Sequence, residues 1–329
     1  MSNSPAGTPR NEPTTPTKWL PSQSPQIPMQ GQQLVDAEIA ALEQSDLFLG
    51  SEGLMDLVKW REEGRRERLV LKSQDDENDE ENPSEEAVCQ IIGKISADEA
   101  FWMDPSGGWT GRYGDLYQSK ASCQVVTPAP TLSDHWQKVL DRTISLMQDR
   151  RMKQAEIQNS IITQSQGLHI RHSVFDAVDY NTYKTRTDEI FKKDKRLLMS
   201  NWACGSTKAQ KELNSLVWHN SEDKPNTTRY FGNPIPIFYH DKSRLLPSDP
   251  QYSEKLRGAV VKIGLSITHE FMSRQPPVND FYADIRYIII LKKPPPPPKA
   301  PLKRSLDFPD VAAANTASSA SSSSKRTRA

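Results

Sequence analysis

The sequence has few cysteines and no long apolar run. Cys89, Cys123 and Cys204 lie far apart in a chain of 329 residues, so a disulfide framework and a CxxC zinc half-site are both excluded. The longest apolar run, residues 288–291, is far shorter than the roughly 20 residues that span a bilayer. The polar N-terminus has no apolar h-region. We therefore expect an intracellular protein with reduced cysteines and no membrane span.

Motifs of catalysis are also missing. The chain contains no GxxxxGK[ST] phosphate loop, no GxGxxG turn, no GxSxG elbow and no HExxH helix. His169 and His172 would lie one turn apart on a helix, but they have few acidic or thiol neighbours at ligand spacing, so we interpret them as a structural or surface pair. The sequence predicts a protein that is not an enzyme and has no metal or cofactor.

Composition places the chain between globular and disordered classes. Only 35% of residues are apolar, proline (25) outnumbers glycine (15), and the mean hydropathy is −0.70. Residues 1–32 form an arm rich in Ser, Thr and Pro, and residues 294–329 combine polyproline, Ala/Ser repeats and a basic end, so both are predicted to be disordered. Four hydroxyls of the arm precede proline and are candidate phosphorylation sites: Ser4, Thr8, Thr15 and Ser24.

The N-terminal half is predicted to be mainly helical. Apolar residues recur at helical spacing over residues 33–72, which indicates amphipathic helices that dock on a partner or on their own domain. Residues 73–86 are strongly acidic and form a solvated linker, with nucleic-acid mimicry as the alternative. Residues 87–167 hold an aromatic and Gly-rich segment followed by a central helix over 131–166 that we expect to support self-association. The aromatics are either core or, beside Arg112 and Lys120, a surface for stacking bases.

The clearest pattern lies in residues 168–293. Residues 259–268 and 281–291 alternate between apolar and polar positions, so they predict an antiparallel pair within a folded C-terminal module. With the helical segments this gives an α+β protein. A basic run in the same module is a candidate contact for RNA or single-stranded DNA: Lys192, Lys193, Lys195 and Arg196.

The C-terminal tail carries short motifs. Two basic clusters resemble nuclear localisation signals, which implies importin as a partner and a nuclear location: Lys299, Lys303, Arg304, Lys325, Arg326 and Arg328. Residues 294–299 have the PxxPxK spacing of SH3 ligands, and a stiff spacer is the alternative. Arg304, Leu306 and Phe308 resemble the RxLxF peptide that docks on cyclins.

Charge is separated along the chain. Lys plus Arg and Asp plus Glu each total 42, because the acidic linker cancels the basic residues at 192–196 and 292–328. The order of parts resembles the phosphoproteins of negative-strand RNA viruses, although the β-rich C-terminal half departs from them. The first hypothesis is a nuclear adaptor, viral in character, that tethers a nucleoprotein or polymerase complex to partners through short motifs. The alternative is a nucleic-acid-binding viral structural or movement protein, of capsid or matrix type.

Overall fold

A computed structural model describes residues 31–72, 85–97, 101–152, 155–221 and 227–296. The described residues up to Pro294 belong to one compact unit, and the predicted arms at 1–32 and 294–329 fall almost wholly outside the described residues. The elements, in chain order, are α1 Gln32–Glu43, α2 Leu54–Leu57, β1 Val58–Glu63, β2 Arg66–Leu71, β3 Cys89–Ile95, β4 Lys120–Val126, α3 Ser133–Arg150, β5 Glu156–Asn159, β6 Leu168–Ser173, β7 Phe175–Val178, α4 Tyr180–Asp194, α5 Thr207–Ser221, β8 Arg229–Gly232, β9 Ile237–Tyr239, β10 Arg244–Leu245, α6 Tyr252–Leu256, β11 Val260–Met272 and β12 Val278–Lys292. The prediction of an α+β protein is confirmed.

Five of the strands close into a barrel. β3 pairs antiparallel with β4, and β4 pairs antiparallel with β6. β6 pairs parallel with β12, β12 pairs antiparallel with β11, and β11 returns antiparallel to β3. Each of these strands thus has a neighbour on both sides, although β3 with β4 and β6 with β12 pair over only two residues each.

The antiparallel pairing of β11 with β12 runs from Val260 to Met272 and confirms the pair predicted from alternation. The expected boundary at residue 168 does not separate two modules, because β3 and β4 supply two of the five barrel strands. Residues 168–293 alone would leave the barrel open between β11 and β6.

A hairpin replaces the second predicted helix of residues 33–72. α1 is present as expected, with Leu34, Val35, Ile39 and Leu42 buried. Beyond α2, however, β1 and β2 pair antiparallel through a two-residue turn of Gly64 and Arg65. Gly64 has φ +68°, a conformation that other residues rarely adopt. The prediction of helix over the charged segment is therefore wrong.

The central helix is shorter than predicted and is packed on the core. α3 ends at Arg150, and residues 156–159 form β5 instead of continuing the helix. Its apolar stripe, including Trp136, Val139 and Leu140, is buried within this chain. The stripe from which we expected self-association is therefore not available for it.

The long connection between β6 and β11 contains α4, α5 and a separate two-stranded sheet of β7 and β8. α5 buries Ala209, Leu213 and Leu216, whereas α4 has no buried residue. Within the described ranges, no helix has the length and apolarity needed to cross a bilayer.

Candidate nucleic-acid interface

The outer face of β4 and β6 is polar because the inner face fills the barrel. On β4, Ala121 and Cys123 are buried, so Lys120 and Ser122 point outward. On β6, Ile170 is buried, so Arg171 points outward directly opposite Ser122. The next residue across the sheet is Asp284 of β12, which pairs with Arg171.

An exposed tryptophan extends this row. The backbone N–H of Trp102 donates to the carbonyl oxygen of Ser122 at 2.8 Å, which places Trp102 beside β4. Its neighbours Phe101 and Met103 are buried, so the indole points away from the core and is 46% exposed. The ring lies on Gly108, whose φ is +67° and where a Cβ would overlap it. The loop thus supports an aromatic ring at the surface.

Arg171 presents a planar cation on the same face. Its guanidinium carbon lies 3.3 Å from the centre of the Tyr282 ring, and its Nε donates to Asp284 Oδ1 at 3.0 Å. The side chain of Arg171 is only 14% exposed. Stacking and the ion pair fix its orientation before any ligand binds.

Lys120 is the third cation of this cluster, beside Arg171 and Arg66. Besides desolvation, the positive charges of Arg171 and Arg66 act on Lys120 and lower its pKa. The carboxylates of Asp284 and Glu270 act on it in the opposite direction. Asp284 pairs with Arg171, and Glu270 pairs with Arg66 at 3.3 Å, whereas Lys120 makes no ion pair with any residue that the structure describes. Desolvation, followed by the charge of Arg171, lowers the pKa of Lys120. An anion placed here would relieve that repulsion.

The rest of the aromatic segment divides into core and surface. Phe101 is buried, and the Tyr117 ring stacks on Tyr230 with 4.1 Å between centres. Trp109 donates from Nε1 to the carbonyl oxygen of Gly114 at 3.1 Å and so braces the loop. Tyr113 is 89% exposed. Phe101 is therefore core, whereas base stacking by the exposed aromatic rings stays a prediction.

The predicted basic run lies elsewhere. Lys192 and Lys193 are on the last turn of α4, and Lys195 and Arg196 follow it, all four exposed. Arg196 donates from Nε to Asp194 at 2.8 Å. None of the four belongs to a barrel strand. Their role in nucleic-acid contact stays a prediction.

The two histidines of the sequence analysis lie on a strand and not on a helix. His172 is buried, with its ring nitrogens 3.1 Å from the carbonyl oxygen of Ile285 and 2.7 Å from that of Asn233. His169 is exposed on the opposite side of β6 from Ile170. Among the described residues, no group of three or more His, Cys, Asp or Glu side chains is arranged to hold a metal ion.

The motifs of the two arms lie outside the described residues. These are the candidate phosphorylation sites Ser4, Thr8, Thr15 and Ser24, the localisation residues Lys299, Lys303, Arg304, Lys325, Arg326 and Arg328, and the docking residues Arg304, Leu306 and Phe308. They stay predictions from the sequence.

Sequence reasoning missed Tyr282 and the outward position of Arg171. Alternation in residues 168–173 does carry the signal for Arg171, since Leu168, Ile170 and His172 share the inner face. Tyr282 occupies an outward position on β12, but its partnership with Arg171 depends on a pairing between strands more than 100 residues apart in sequence.

The order in which the barrel strands pair identifies the class of fold. Numbered along the chain, β3, β4, β6, β11 and β12 pair in the order 1-2-3-5-4-1. This is the five-stranded Greek-key barrel of the OB-fold, in which the face of strands 2 and 3, with the loops joining strands 1–2 and 4–5, binds oligonucleotides or oligosaccharides. Lys120 and Arg171 lie on strands 2 and 3, and Trp102 lies in the loop joining strands 1 and 2.

Comparison with known proteins gives only distant similarity. No family model matches the chain, and no curated protein matches it. Among solved structures, it is similar to gp2.5, a single-stranded DNA-binding protein encoded by bacteriophage T7, with 7% identity, a TM-score of 0.30, and coverage of 64% of this chain and 93% of that one. It is also similar to the single-stranded DNA-binding protein of bacteriophage Enc34 in complex with ssDNA, with 11% identity, a TM-score of 0.28, and coverage of 73% and 97%. Similarity at this level assigns no function.

Proposed function

We propose that this protein binds single-stranded nucleic acid on the outer face of β4, β6 and β12. The observation that carries the proposal is the row of Trp102, Ser122 and Arg171, with Lys120 beside it, which forms no ion pair within the described residues. Three strand spacings separate Trp102 from Asp284, so the row extends over roughly 14 Å. Such a face has an aromatic ring, a planar cation and an ammonium group within reach of one short segment of single-stranded nucleic acid.

Each residue has a distinct role in the proposed complex. The exposed Trp102 ring stacks on a base, since every base has a π-face and unpaired bases expose it. One face of the Arg171 guanidinium lies on Tyr282, and we assign its other face to a second base or to a phosphate. Lys120 neutralises a phosphate and adds a salt-dependent contribution to affinity.

The same chemistry favours single strands over duplex. Stacking on Trp102 needs a base face that a duplex hides within its own stack. No base-specific pattern of donors and acceptors is required by these contacts, so binding is expected to depend weakly on sequence. The finer role, in a capsid, matrix or movement protein, stays a prediction.

The test is a titration in which the full chain is added to a labelled oligo(dT), oligo(U) or duplex. Binding is measured by fluorescence anisotropy at several salt concentrations. The proposal predicts saturable binding to the single strands, weaker binding to the duplex, and affinity that falls as salt rises. Equal affinity for duplex and single strand, or no binding at low salt, would refute it.

We also propose a non-enzymatic role in the nucleus, with importin reading the basic clusters of residues 299–328. Support for this comes from the sequence. Deletion of residues 299–329 from a fluorescent fusion is expected to abolish nuclear accumulation, and undiminished accumulation would remove the proposal. Import and nucleic-acid binding are independent, because the deletion leaves the barrel face intact.

A further inference from the structure

The row of the proposed binding face continues by one strand beyond Asp284. Ser266 of β11 lies directly opposite Asp284. Its neighbours Leu265 and Ile267 are buried in the barrel, so the Ser266 side chain points outward. It lies two strand spacings from Arg171, roughly 10 Å. Because the single-stranded sites of OB-folds hold about 4–16 nucleotides, a strand bound at Arg171 is long enough to reach it.

Ser266 has no exposed surface, although it lies on the outer face, and two charged side chains lie over it. Its hydroxyl donates to Glu86 Oε1 at 2.7 Å and lies 3.4 Å from Nη2 of Arg286. The same Arg286 nitrogen donates to Glu86 Oε1. On the other side, Nε of Arg68 on β2 lies 3.5 Å from that oxygen. One carboxylate thus lies between two guanidinium groups at the end of the row.

The side chain of Glu86 is held less firmly than its backbone. Glu86 forms an antiparallel bridge with Val70 of β2, which fixes the backbone beside the sheet. Its side chain, by contrast, is 26% exposed, and those of Arg68 and Arg286 are 35% and 38% exposed. Ion pairs between side chains as accessible as these contribute little to stability, because water and salt screen them. The carboxylate can therefore leave the two arginines when another anion replaces it.

A phosphate would use the donors of this site better than Glu86 does. A single carboxylate oxygen, Oε1, faces the Ser266 hydroxyl and both guanidinium groups. Nε of Arg68 makes no hydrogen bond with any residue that the structure describes. A phosphodiester offers two charged oxygens to the same donors, and guanidinium groups bind phosphate through two parallel hydrogen bonds. The geometry therefore favours exchange of the carboxylate for a phosphate.

We infer that Arg68, Arg286 and Ser266 form a second phosphate site at the end of the binding face, and that the Glu86 carboxylate occupies it in the free protein. A bound strand displaces Glu86, which therefore competes with nucleic acid and lowers its affinity. Glu86 is the last residue of the acidic segment at 73–86, for which the sequence leaves nucleic-acid mimicry as an alternative. The inference rests on the proposed function, because the site continues the same face.

The test is the affinity of the full chain for a labelled oligo(dT), measured by fluorescence anisotropy at low and high salt. Glu86→Gln keeps the size of the side chain and removes its charge, so it should bind at least about threefold more tightly at low salt, with a smaller gain at high salt. Glu86→Ala should act in the same direction. Glu212→Gln is the matched control, since it removes an exposed carboxylate of α5, outside the barrel, and should bind as the wild type does. Urea denaturation checks that each variant is folded.

A second background identifies the source of the gain. In a chain that carries Arg68→Gln and Arg286→Gln, Glu86→Gln should lose most of its effect, because both guanidinium groups of the site are gone. A gain of the same size in that background would show that Glu86 acts only through net charge and would overturn the inference. If the wild type binds oligo(dT) and Glu86→Gln binds equally well, the inference fails and the proposed function stands. If no variant binds, both fail.

Discussion

The guanidinium of Arg171 lies over the ring of Tyr282, with 3.3 Å from its central carbon to the ring centre. The two residues come from strands that are adjacent only because the barrel closes in parallel between β6 and β12. Asp284 holds the same guanidinium through Nε. One face of the planar cation is thus occupied by Tyr282, and the other is the face that we assign to the nucleic acid.

A substitution at Arg171 can distinguish the contribution of its planar shape to binding from that of its positive charge. Arg171→Lys keeps the positive charge but loses the plane that stacks on Tyr282, because an ammonium is compact and not planar. We expect affinity for oligo(dT) to fall about 2- to 10-fold while the dependence of affinity on salt is unchanged. Anisotropy titrations at four salt concentrations measure both quantities. An unaltered affinity would show that the guanidinium plane has no role.

Replacing Lys120 should change the salt dependence of binding. Lys120→Gln removes one phosphate contact, so the slope of log affinity against log salt should become shallower by about 0.7, the value for one charge on a single strand. Lys94→Gln on β3 is the matched control, since Lys94 is an exposed barrel cation outside the proposed row. The same change of slope in both variants would mean that Lys120 acts only through net charge.

Gly108 is expected to be essential for the position of Trp102. Gly108→Ala puts a Cβ into the indole and forces a side chain into positive φ. We expect a loss of about 1–3 kcal/mol in the free energy of unfolding, measured by urea denaturation, and weaker binding of oligo(dT). Gly53→Ala is the control, because nothing lies within 4 Å of the added atom and its φ is −79°. A loss of stability as large at Gly53 would show that the indole contact is not the cause.

His135 should make stability depend on pH. It is buried, with Nδ1 3.1 Å from Glu43 Oε1 and its ring stacked on Phe48. Desolvation lowers the pKa of His135 below 6.5, although Glu43 opposes the shift. Below about pH 6.5 the unfolded chain therefore takes up a proton more readily than the folded one, so the free energy of unfolding falls as pH falls through this range and is fully present above it.

Urea denaturation at pH 7.5 and pH 5.5 measures this effect. His135→Gln should reduce the difference in the free energy of unfolding between the two pH values. His240→Gln is the control, since the side chain of His240 is 52% exposed. A difference that is unchanged in His135→Gln would assign the pH dependence to other groups.

The sequence predicts individual strands better than it predicts the closed barrel that they form. Alternation was enough to place β11 and β12 and their antiparallel pairing, because a long strand with one inner face repeats every two residues. It was not enough for the barrel, since β3, β4 and β6 are short and find their partners across long loops. The dense charges of the β1–β2 hairpin fit helical spacing as well, and Gly64 in its turn is the residue that favours a hairpin.

In the candidate site, too, the sequence predicts the residue types but not the positions that depend on strand pairing. Lys120 and the aromatic segment were visible as a possible stacking surface, but the sequence could not separate exposed Trp102 from buried Phe101, because that depends on the backbone pairing with Ser122. The adaptor hypothesis came first on the strength of the arms. The barrel face moves nucleic-acid binding to first place, while the adaptor role stays with motifs outside the described residues.

The central claim is tested most directly by Trp102. In a titration of oligo(dT) at low salt, Trp102→Ala should weaken binding by about 1–3 kcal/mol, the range for one stacked base. Trp218→Ala removes an indole of α5 that is 66% exposed and outside the proposed row, and it should bind as the wild type does. Equal affinities for wild type, Trp102→Ala and Trp218→Ala would contradict the account.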